Sequence, residues 1–254
     1  VSNNMDADIE IKNDTAMKEH KKDRKDILDE SIVTSIKDLD GVLEVHPVVF
    51  AEITVPWEPD FSDMWMKEFY EKWLTVPYSQ EKEEYQNHPE NFGSSLIGID
   101  EQKFDFLNEN LEQPINKEEF LSGKTCIIYR NGLDLSNSDL IGSKVTCALH
   151  SDKQVTQTFT IGGVTDESYY TAILGYPPTI ITSDQVVKNF ANESITLKIG
   201  VKYTKEYDRN IEKEILKLLE ANGKEKDLSW DSKIEEADEI KNAQGYMPQI
   251  GMGI

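Results

Sequence analysis

A strand–helix–strand pattern occurs near both ends of the chain, and this recurrence constrains the fold more than any other feature. Near the start, an alternating polar and apolar segment precedes a helix with Ile32 and Ile36 on one face, and a β-branched stretch at 42–55 follows. Near the end, an alternating strand at 194–203 precedes a helix with Ile211 and Ile215 on one face. Two such units at opposite ends of the sequence predict one α+β lobe that both chain ends build together.

The middle of the chain predicts a second, β-rich lobe inserted into the first. After short helices expected at Asp100 and Asn116, turn residues separate several short strands, expected at 125–129, 144–149, 155–161 and 179–182. Strands at this spacing predict a small sheet or an open barrel. The expected division is a split lobe from residues 1–99 and 190–235, an inserted lobe at 100–189, and a pre-membrane helix at 234–254.

An aromatic segment at 57–92 interrupts the first lobe. A helix from Asp60 to about Leu74 would carry apolar side chains around roughly 220° of its circumference, more than the stripe of about 100° that one core needs. The surplus predicts either packing between the two lobes or a contact surface for a partner or ligand. The candidate contact residues are Trp57, Phe61, Trp65, Phe69, Tyr70 and Trp73.

The chain is strongly acidic, with 27 Lys and Arg residues against 48 Asp and Glu residues and a formal net charge of −21. This charge excludes a nucleic-acid binder, because neutralising phosphates requires a basic face. Nine of the acids and only three lysines lie between Glu58 and Glu90, interleaved with the aromatic helix. An acidic surface with aromatic side chains predicts attraction of cationic amphipathic peptides. The alternative is a solvated acidic face that serves solubility.

The common catalytic motifs do not occur in the sequence. It contains no Gly-rich phosphate loop, no Gly-x-Ser-x-Gly and no His-Glu-x-x-His, and its four histidines are scattered. We therefore expect no catalytic residue, no bound cofactor and no metal site. Cys126 and Cys147 both lie in predicted strands of the inserted lobe, where pairing of those strands would allow a disulfide. The alternative is two buried thiols that act as small apolar side chains.

The chain ends in an uncharged segment. No charged residue follows Lys241, and the last residues up to Ile254 become increasingly apolar. Such a pattern is typical of a helix that approaches a membrane, although the sequence contains no run long enough for a complete span. The alternative is a frayed terminus without a role.

Several short motifs, spread over most of the chain, resemble in the same order the extracytoplasmic domain of FtsX-like (MacB-type) ABC transporter permeases. Each motif is common alone, and their order carries the resemblance. The matching pieces are the Asp6–Ile11 strand, the helix-to-strand join from Ile32 to Val42, Gly98-Ile-Asp100, Glu119–Lys124, Gly142–Val145 with Phe159–Val164, the strand and helix from Tyr203 to Leu218, and the helix from Ile234 to Gln244.

The resemblance implies a porter-like α+β lobe with an inserted β-rich lobe, carried between the first two spans of a four-span permease. It implies a membrane location with the domain on the extracytoplasmic side, a second permease copy, and a partner ATPase subunit that uses ATP. Members of this family perform no chemistry in this domain. They couple ATP-driven motion to export, to resistance or to the regulation of a partner. A cationic peptide or a cell-surface protein is the expected extracellular partner, and the expected source is a Gram-positive bacterium.

Two alternatives come from other classes of protein. One is a secreted acidic enzyme, such as a hydrolase with a carboxylate pair, and the other is a secreted adhesin or scaffold. Neither alternative accounts for the uncharged C-terminal segment.

Overall fold

The computed structural model describes residues 7–167, 177–223 and 225–245. The chain divides into two compact units, with Val1–Pro47 and Thr196–Ile254 in unit 1 and Val48–Ile195 in unit 2. The strands are β1 (Ile9–Asn13), β2 (Val42–Thr54), β3 (Ser94–Ile99), β4 (Thr125–Tyr129), β5 (Lys144–Leu149), β6 (Thr156–Thr165), β7 (Ile180–Ser183), β8 (Ile195–Tyr203) and β9 (Leu228–Ser232). The α-helices are α1 (Glu30–Lys37), α2 (Pro59–Phe69), α3 (Lys82–Asn87), α4 (Glu101–Glu109), α5 (Lys117–Leu121), α6 (Asn137–Leu140), α7 (Asp184–Phe190), α8 (Arg209–Ala221) and α9 (Lys233–Gly245).

Unit 1 contains two interlocked β-α-β units, one from each end of the chain. Its strand order is β2-β8-β1-β9, and β1 pairs antiparallel with both β8 and β9. Strand β8 therefore lies between β1 and β2, and β1 lies between β8 and β9, which is the split β-α-β arrangement. This confirms the predicted α+β class and the lobe formed by both chain ends. Its core is apolar, and includes Ile9, Ile11, Ile36, Ile199 and Ile215.

Helices α1 and α8 of unit 1 begin at carboxylate caps. Asp29 accepts a hydrogen bond from the backbone N–H of Ile32 at the start of α1, and Asp208 does the same for Ile211 in α8. After α1, Gly41 adopts φ +103° while Ile211 lies 3.6 Å from where its Cβ would be. Glycine suits this position because other residues rarely adopt such a backbone conformation.

Unit 2 is built on a closed ring of six strands. The order is β3-β7-β4-β6-β5-β2, and β2 also pairs with β3, which closes the ring. The sequence predicted a small sheet or an open barrel from the later strands alone. In the structure, β2 and β3 also belong to the ring, because antiparallel pairing, for example of Val49 with Gly98, joins these two segments that are far apart in sequence.

The unit boundaries therefore differ from the predicted lobe boundaries. Residues 48–99 and 190–195 belong to unit 2, although we expected them in the split lobe. The reason is the core: Ala51 of β2 and Leu96 of β3 pack in the same apolar cluster as the barrel strands and the aromatic segment. The predicted pre-membrane helix overlaps α9, and residues 246–254, which carry the uncharged segment, lie outside the described residues.

Candidate functional site

Most of the aromatic side chains predicted to form a contact surface are buried inside unit 2. α2 continues into a π-helical turn at Tyr70–Leu74, so the predicted long helix is present. Its core-facing aromatic side chains pack in the apolar cluster of unit 2, and Trp65 is only 1% exposed. The buried candidates are Phe61, Trp65, Phe69 and Tyr70. The structure corrects the prediction for these four residues, which stabilise the fold and present no surface to a partner.

The segment that follows α2 covers the surplus aromatic face of this helix. The ring of Tyr70 lies 5.7 Å from the ring of Tyr78, centroid to centroid. Tyr85 and Phe92 meet edge to face at 5.2 Å and belong to the same core cluster. The hydroxyl of Tyr85 donates to the carbonyl of Val55, which ties this segment to the end of β2. Intramolecular packing therefore accounts for most of the wide apolar face.

The remaining two candidates, Trp57 and Trp73, are partly accessible. Trp73 is 52% exposed, and its indole Nε1 donates to the carbonyl of Asn131 at 3.0 Å. Gly132 adopts φ +69° beneath this ring, where an added Cβ would lie 3.4 Å from the indole. Trp57 is half-buried and donates its Nε1 to Asp63 Oδ1 at 2.9 Å. A contact role for these two residues stays a prediction.

A groove of about 680 Å³ lies beside α2. One wall is the face of α2 and the π-helical turn that carries Asp63, Lys67 and Glu71, and the other wall is residues 75–79 with Lys82. Its volume falls in the range of roughly 300–1,000 Å³ that is typical of small-ligand sites. The groove is therefore the candidate binding site of unit 2.

Asp63 organises one side of this groove by accepting three hydrogen bonds. Its Oδ1 accepts from the indole of Trp57 and from the hydroxyl of Tyr78, both at 2.9 Å. Its Oδ2 accepts from the ammonium of Lys82 at 2.8 Å. The same ammonium lies 5.5 Å from the centroid of the Trp57 ring, within cation–π range. Carboxylate, ammonium and indole thus form one connected cluster.

The protonation states of this cluster follow from its hydrogen bonds. Partial burial acts to raise the pKa of Asp63, but the hydrogen bonds from Lys82, Trp57 and Tyr78 outweigh it and lower this pKa below its usual value. Burial, followed by the hydrogen bond to Asp63, raises the pKa of Tyr78. At neutral pH the cluster therefore contains a carboxylate and a neutral phenol that donates to it.

Sequence reasoning missed Asp63, Tyr78 and Lys82 as a group. Tyr78 and Lys82 lie 15 and 19 residues after Asp63, a spacing that matches no helix or strand period. The chain brings them together by reversing direction after the π-helical turn, where Thr75 adopts φ +52°. A β-branched residue rarely adopts this conformation, so sequence patterns do not predict such a reversal.

Cys126 and Cys147 are both free and buried. Strand β6 lies between β4 and β5, so the two strands that carry these thiols are not hydrogen-bonded partners. Burial raises the pKa of Cys126 well above its usual value and raises the pKa of Cys147 to about 12. The structure contains two buried thiols, in place of the disulfide that pairing of these strands would have allowed.

Unit 1 contains a buried carboxylate, Glu212 of α8. It accepts a hydrogen bond from the hydroxyl of Tyr203 at 2.8 Å and from the hydroxyl of Ser232 at 2.9 Å. Ser232 in turn accepts from the backbone N–H of Glu235 at 3.2 Å, in the first turn of α9. Burial raises the pKa of Glu212, although the two hydroxyl hydrogen bonds act to lower it. This cluster connects β8, α8 and the beginning of α9.

Within residues 7–167, 177–223 and 225–245, no group of three or more His, Cys, Asp and Glu side chains is placed to hold a metal ion. In the same part of the chain, no helix combines the length and the apolar character that crossing a bilayer requires. The expected absence of catalytic residues and of a bound cofactor stays a prediction.

No family model and no curated protein matches the chain. Among solved structures, the periplasmic region of MacB from Actinobacillus actinomycetemcomitans matches with a TM-score of 0.49 and 15% identity, over 94% of this chain and 92% of that one. The extracellular domain of the noncanonic ABC-type transporter YknZ from Gram-positive bacteria matches with a TM-score of 0.44 and 15% identity, over 80% of this chain and 88% of that one. The chain is thus similar to domains of the kind that its sequence resembles. At this level, the likeness assigns neither a family nor an activity to it.

Proposed function

We propose that this chain is the extracytoplasmic domain of an ABC transporter permease. The observation that carries the proposal is that the first described strand of unit 1, β1, begins beside the start of its last described helix, α9. Ile9 pairs with Ser232 across β1 and β9, and the backbone N–H of Lys233 donates to the carbonyl of Asp8 at 3.0 Å. A domain held between two membrane spans needs both connections at one place. The adjacency of β1 and α9 meets this requirement.

Cell fractionation tests this proposal on the full-length parent protein. An antibody against the 254-residue chain should detect it in membranes after a carbonate wash, and external protease should reach it in protoplasts or spheroplasts. A detergent extract should contain an ATP-hydrolysing subunit that is recovered with it. Recovery in the soluble fraction, or protection from external protease, would refute the proposal. Release into the medium would instead favour a secreted enzyme or scaffold.

The proposed role is to pass ATP-driven motion from the membrane to the domain through α9. Arg209 of α8 holds Asp238 of α9 by two hydrogen bonds of 2.7 and 2.8 Å, and Ile234 of α9 is buried in the core of unit 1. Replacing Glu239 by Pro should break the helix beyond this anchor, since proline removes a hydrogen bond and clashes with the preceding turn. Glu239→Ala is the matched control. Equal transport by both variants of the parent protein would contradict the role of α9.

We also propose that unit 2 handles a cationic peptide. The nine acids and three lysines between Glu58 and Glu90 support an electrostatic attraction, and the exposed ring of Trp73 supplies accessible aromatic area. Resistance to cationic peptides, measured in cells that produce the parent protein, should fall in Trp73→Ala. The control is Phe106→Ala, which removes an exposed aromatic side chain from α4. Equal resistance of the two variants would contradict a role for Trp73.

A further inference from the structure

We infer that Trp57, Asp63 and Tyr78 form a binding site for a basic side chain of a peptide ligand, and that Lys82 of the same chain occupies this site in the structure. The inference deepens the peptide-handling role proposed above and rests on it. Its basis is the way in which the protein holds its own lysine.

The contacts of Lys82 are those expected of a bound ammonium ligand. A carboxylate oxygen accepts from it at 2.8 Å, and an indole face lies 5.5 Å away. Trp57 and Tyr78 both donate to the other oxygen of Asp63, so the carboxylate is held in place while Oδ2 faces the cation. The carboxylate and the ring that recognise a cation are thus positioned by hydrogen bonds that do not involve Lys82.

Lys82 can leave this site without exposing the core. Its side chain is 39% exposed and that of Asp63 is 33% exposed, so water already reaches both groups. An exposed ion pair contributes little to stability, because solvent screens the attraction and ordering two side chains costs entropy. An external cation therefore competes with a weakly held intramolecular one.

The groove beside the cluster has room for more than the stem of one lysine. Its volume of about 680 Å³ is bordered by Val76 and Pro77, which are apolar and exposed. On the opposite wall, the charges of Lys67 and Glu71 cancel each other. These two residues therefore do not reduce the net negative charge of the 58–90 segment. This combination fits a lysine or arginine side chain at Asp63 with a neighbouring apolar side chain in the groove.

The test measures binding of a short synthetic peptide of alternating Lys and Leu, with blocked termini, to this chain alone. Lys82→Met removes the competing ammonium and keeps a similar side-chain length. We expect it to tighten binding roughly threefold to tenfold, because the site is then free in every molecule. Lys117→Met is the matched control, since it removes an ion-paired ammonium of similar exposure from unit 2, outside the groove. The control should change the affinity less than about twofold.

A second variant tests the carboxylate. Asp63→Asn added to Lys82→Met should weaken peptide binding by roughly tenfold or more, since an amide keeps the shape and loses the charge. Peptide binding should also shift the indole N–H resonance of Trp57, which the Trp57→Phe variant identifies. Circular dichroism of each variant separates a lost site from a lost fold, and variants that unfold are replaced by Asp63→Ser.

Three outcomes would overturn the inference. They are an equal effect of Lys82→Met and Lys117→Met, unchanged affinity after loss of the Asp63 carboxylate, or butylammonium binding as tightly as the peptide. The assay needs neither a membrane nor an ATPase. A failure here leaves the permease proposal standing, and a failure of the fractionation experiment leaves the binding result standing.

Discussion

The buried Trp65 and the exposed Trp73 of the aromatic segment should respond very differently to truncation. Trp65 is 1% exposed in the core of unit 2, where its ring stacks on Phe61 with centroids 6.1 Å apart. Trp73 is 52% exposed and makes one hydrogen bond, to the carbonyl of Asn131. Trp65→Ala therefore leaves a cavity, whereas Trp73→Ala removes a side chain that already borders water.

The expected free energies of unfolding follow from these environments. A buried tryptophan removes about 150–250 Å² from water, worth roughly 4–6 kcal/mol at about 25 cal/mol per Å². Measured truncations of this kind cost about 3–5 kcal/mol, so we expect Trp65→Ala to cost about 4 kcal/mol. Trp73→Ala loses about half of this area, and water largely replaces its exposed hydrogen bond, so this variant should cost about 2–3 kcal/mol.

Urea unfolding followed by circular dichroism measures the difference. With a slope of about 2 kcal/mol per molar urea, the midpoints of the two variants should differ by about 0.5–1 M. Hydrogen exchange of the β4 and β6 amides assigns the loss to unit 2. Equal midpoints for the two variants, or normal protection of these strands in Trp65→Ala, would refute the assignment of Trp65 to the core.

Three further predictions concern other parts of the chain. Gly98→Ala should lower the free energy of unfolding, measured in urea, by about 1–3 kcal/mol, because the added methyl group would lie 2.6 Å from a valine side chain and 2.7 Å from the backbone of α7. In the control Gly93→Ala, the methyl group would meet only a flexible carboxylate at 3.6 Å, so the loss should be less than about 1 kcal/mol. Equal losses in the two variants would contradict this reasoning. Glu212→Gln should flatten the dependence of stability on pH. Because the pKa of Glu212 is raised in the folded state, the folded state binds the proton more tightly than the unfolded state does. Wild-type stability should therefore fall as the pH rises from about 4 through the pKa of Glu212 in the folded state. Thermal melts across this range measure the slope, and an unchanged slope would contradict the assignment. Cys126 and Cys147 should resist iodoacetamide in the native protein and react in urea, because burial raises both pKa values. Mass spectrometry measures the labelling, and rapid labelling of the native protein would contradict the burial of the two thiols.

The sequence predicts those elements whose signals are local. Strands β4 and β5 have the predicted bounds, because turn residues delimit them on both sides. Asp100 begins α4 as expected, with its carboxylate accepting from the backbone N–H of Lys103 at 2.8 Å. In each case the residues that decide the structure lie within a few positions of one another.

The ring of unit 2 and the groove depend on contacts that no local pattern records. Closure of the ring rests on the pairing of Ile53 with both Ser94 and Leu149, two partners far apart in sequence. The periodicity of the aromatic helix predicts a surplus apolar face, because periodicity alone cannot show that Tyr78 and Tyr85 cover this face. A helical period measures how wide an apolar face is, and the rest of the chain determines what covers that face.

The closed ring also restricts how a partner can bind. Each of its six strands has a hydrogen-bonded neighbour on both sides, so the described part of the ring offers an incoming peptide only short unpaired stretches for β-augmentation, such as the part of β5 that β2 does not reach. In the described part of unit 1, the edge formed by β9 is only five residues long, and its Asp231 is held by Lys12 at 2.6 Å. Short, charged edges resist the addition of foreign strands. At the ring and at β9, recognition therefore depends more on side-chain chemistry in grooves than on open backbone edges.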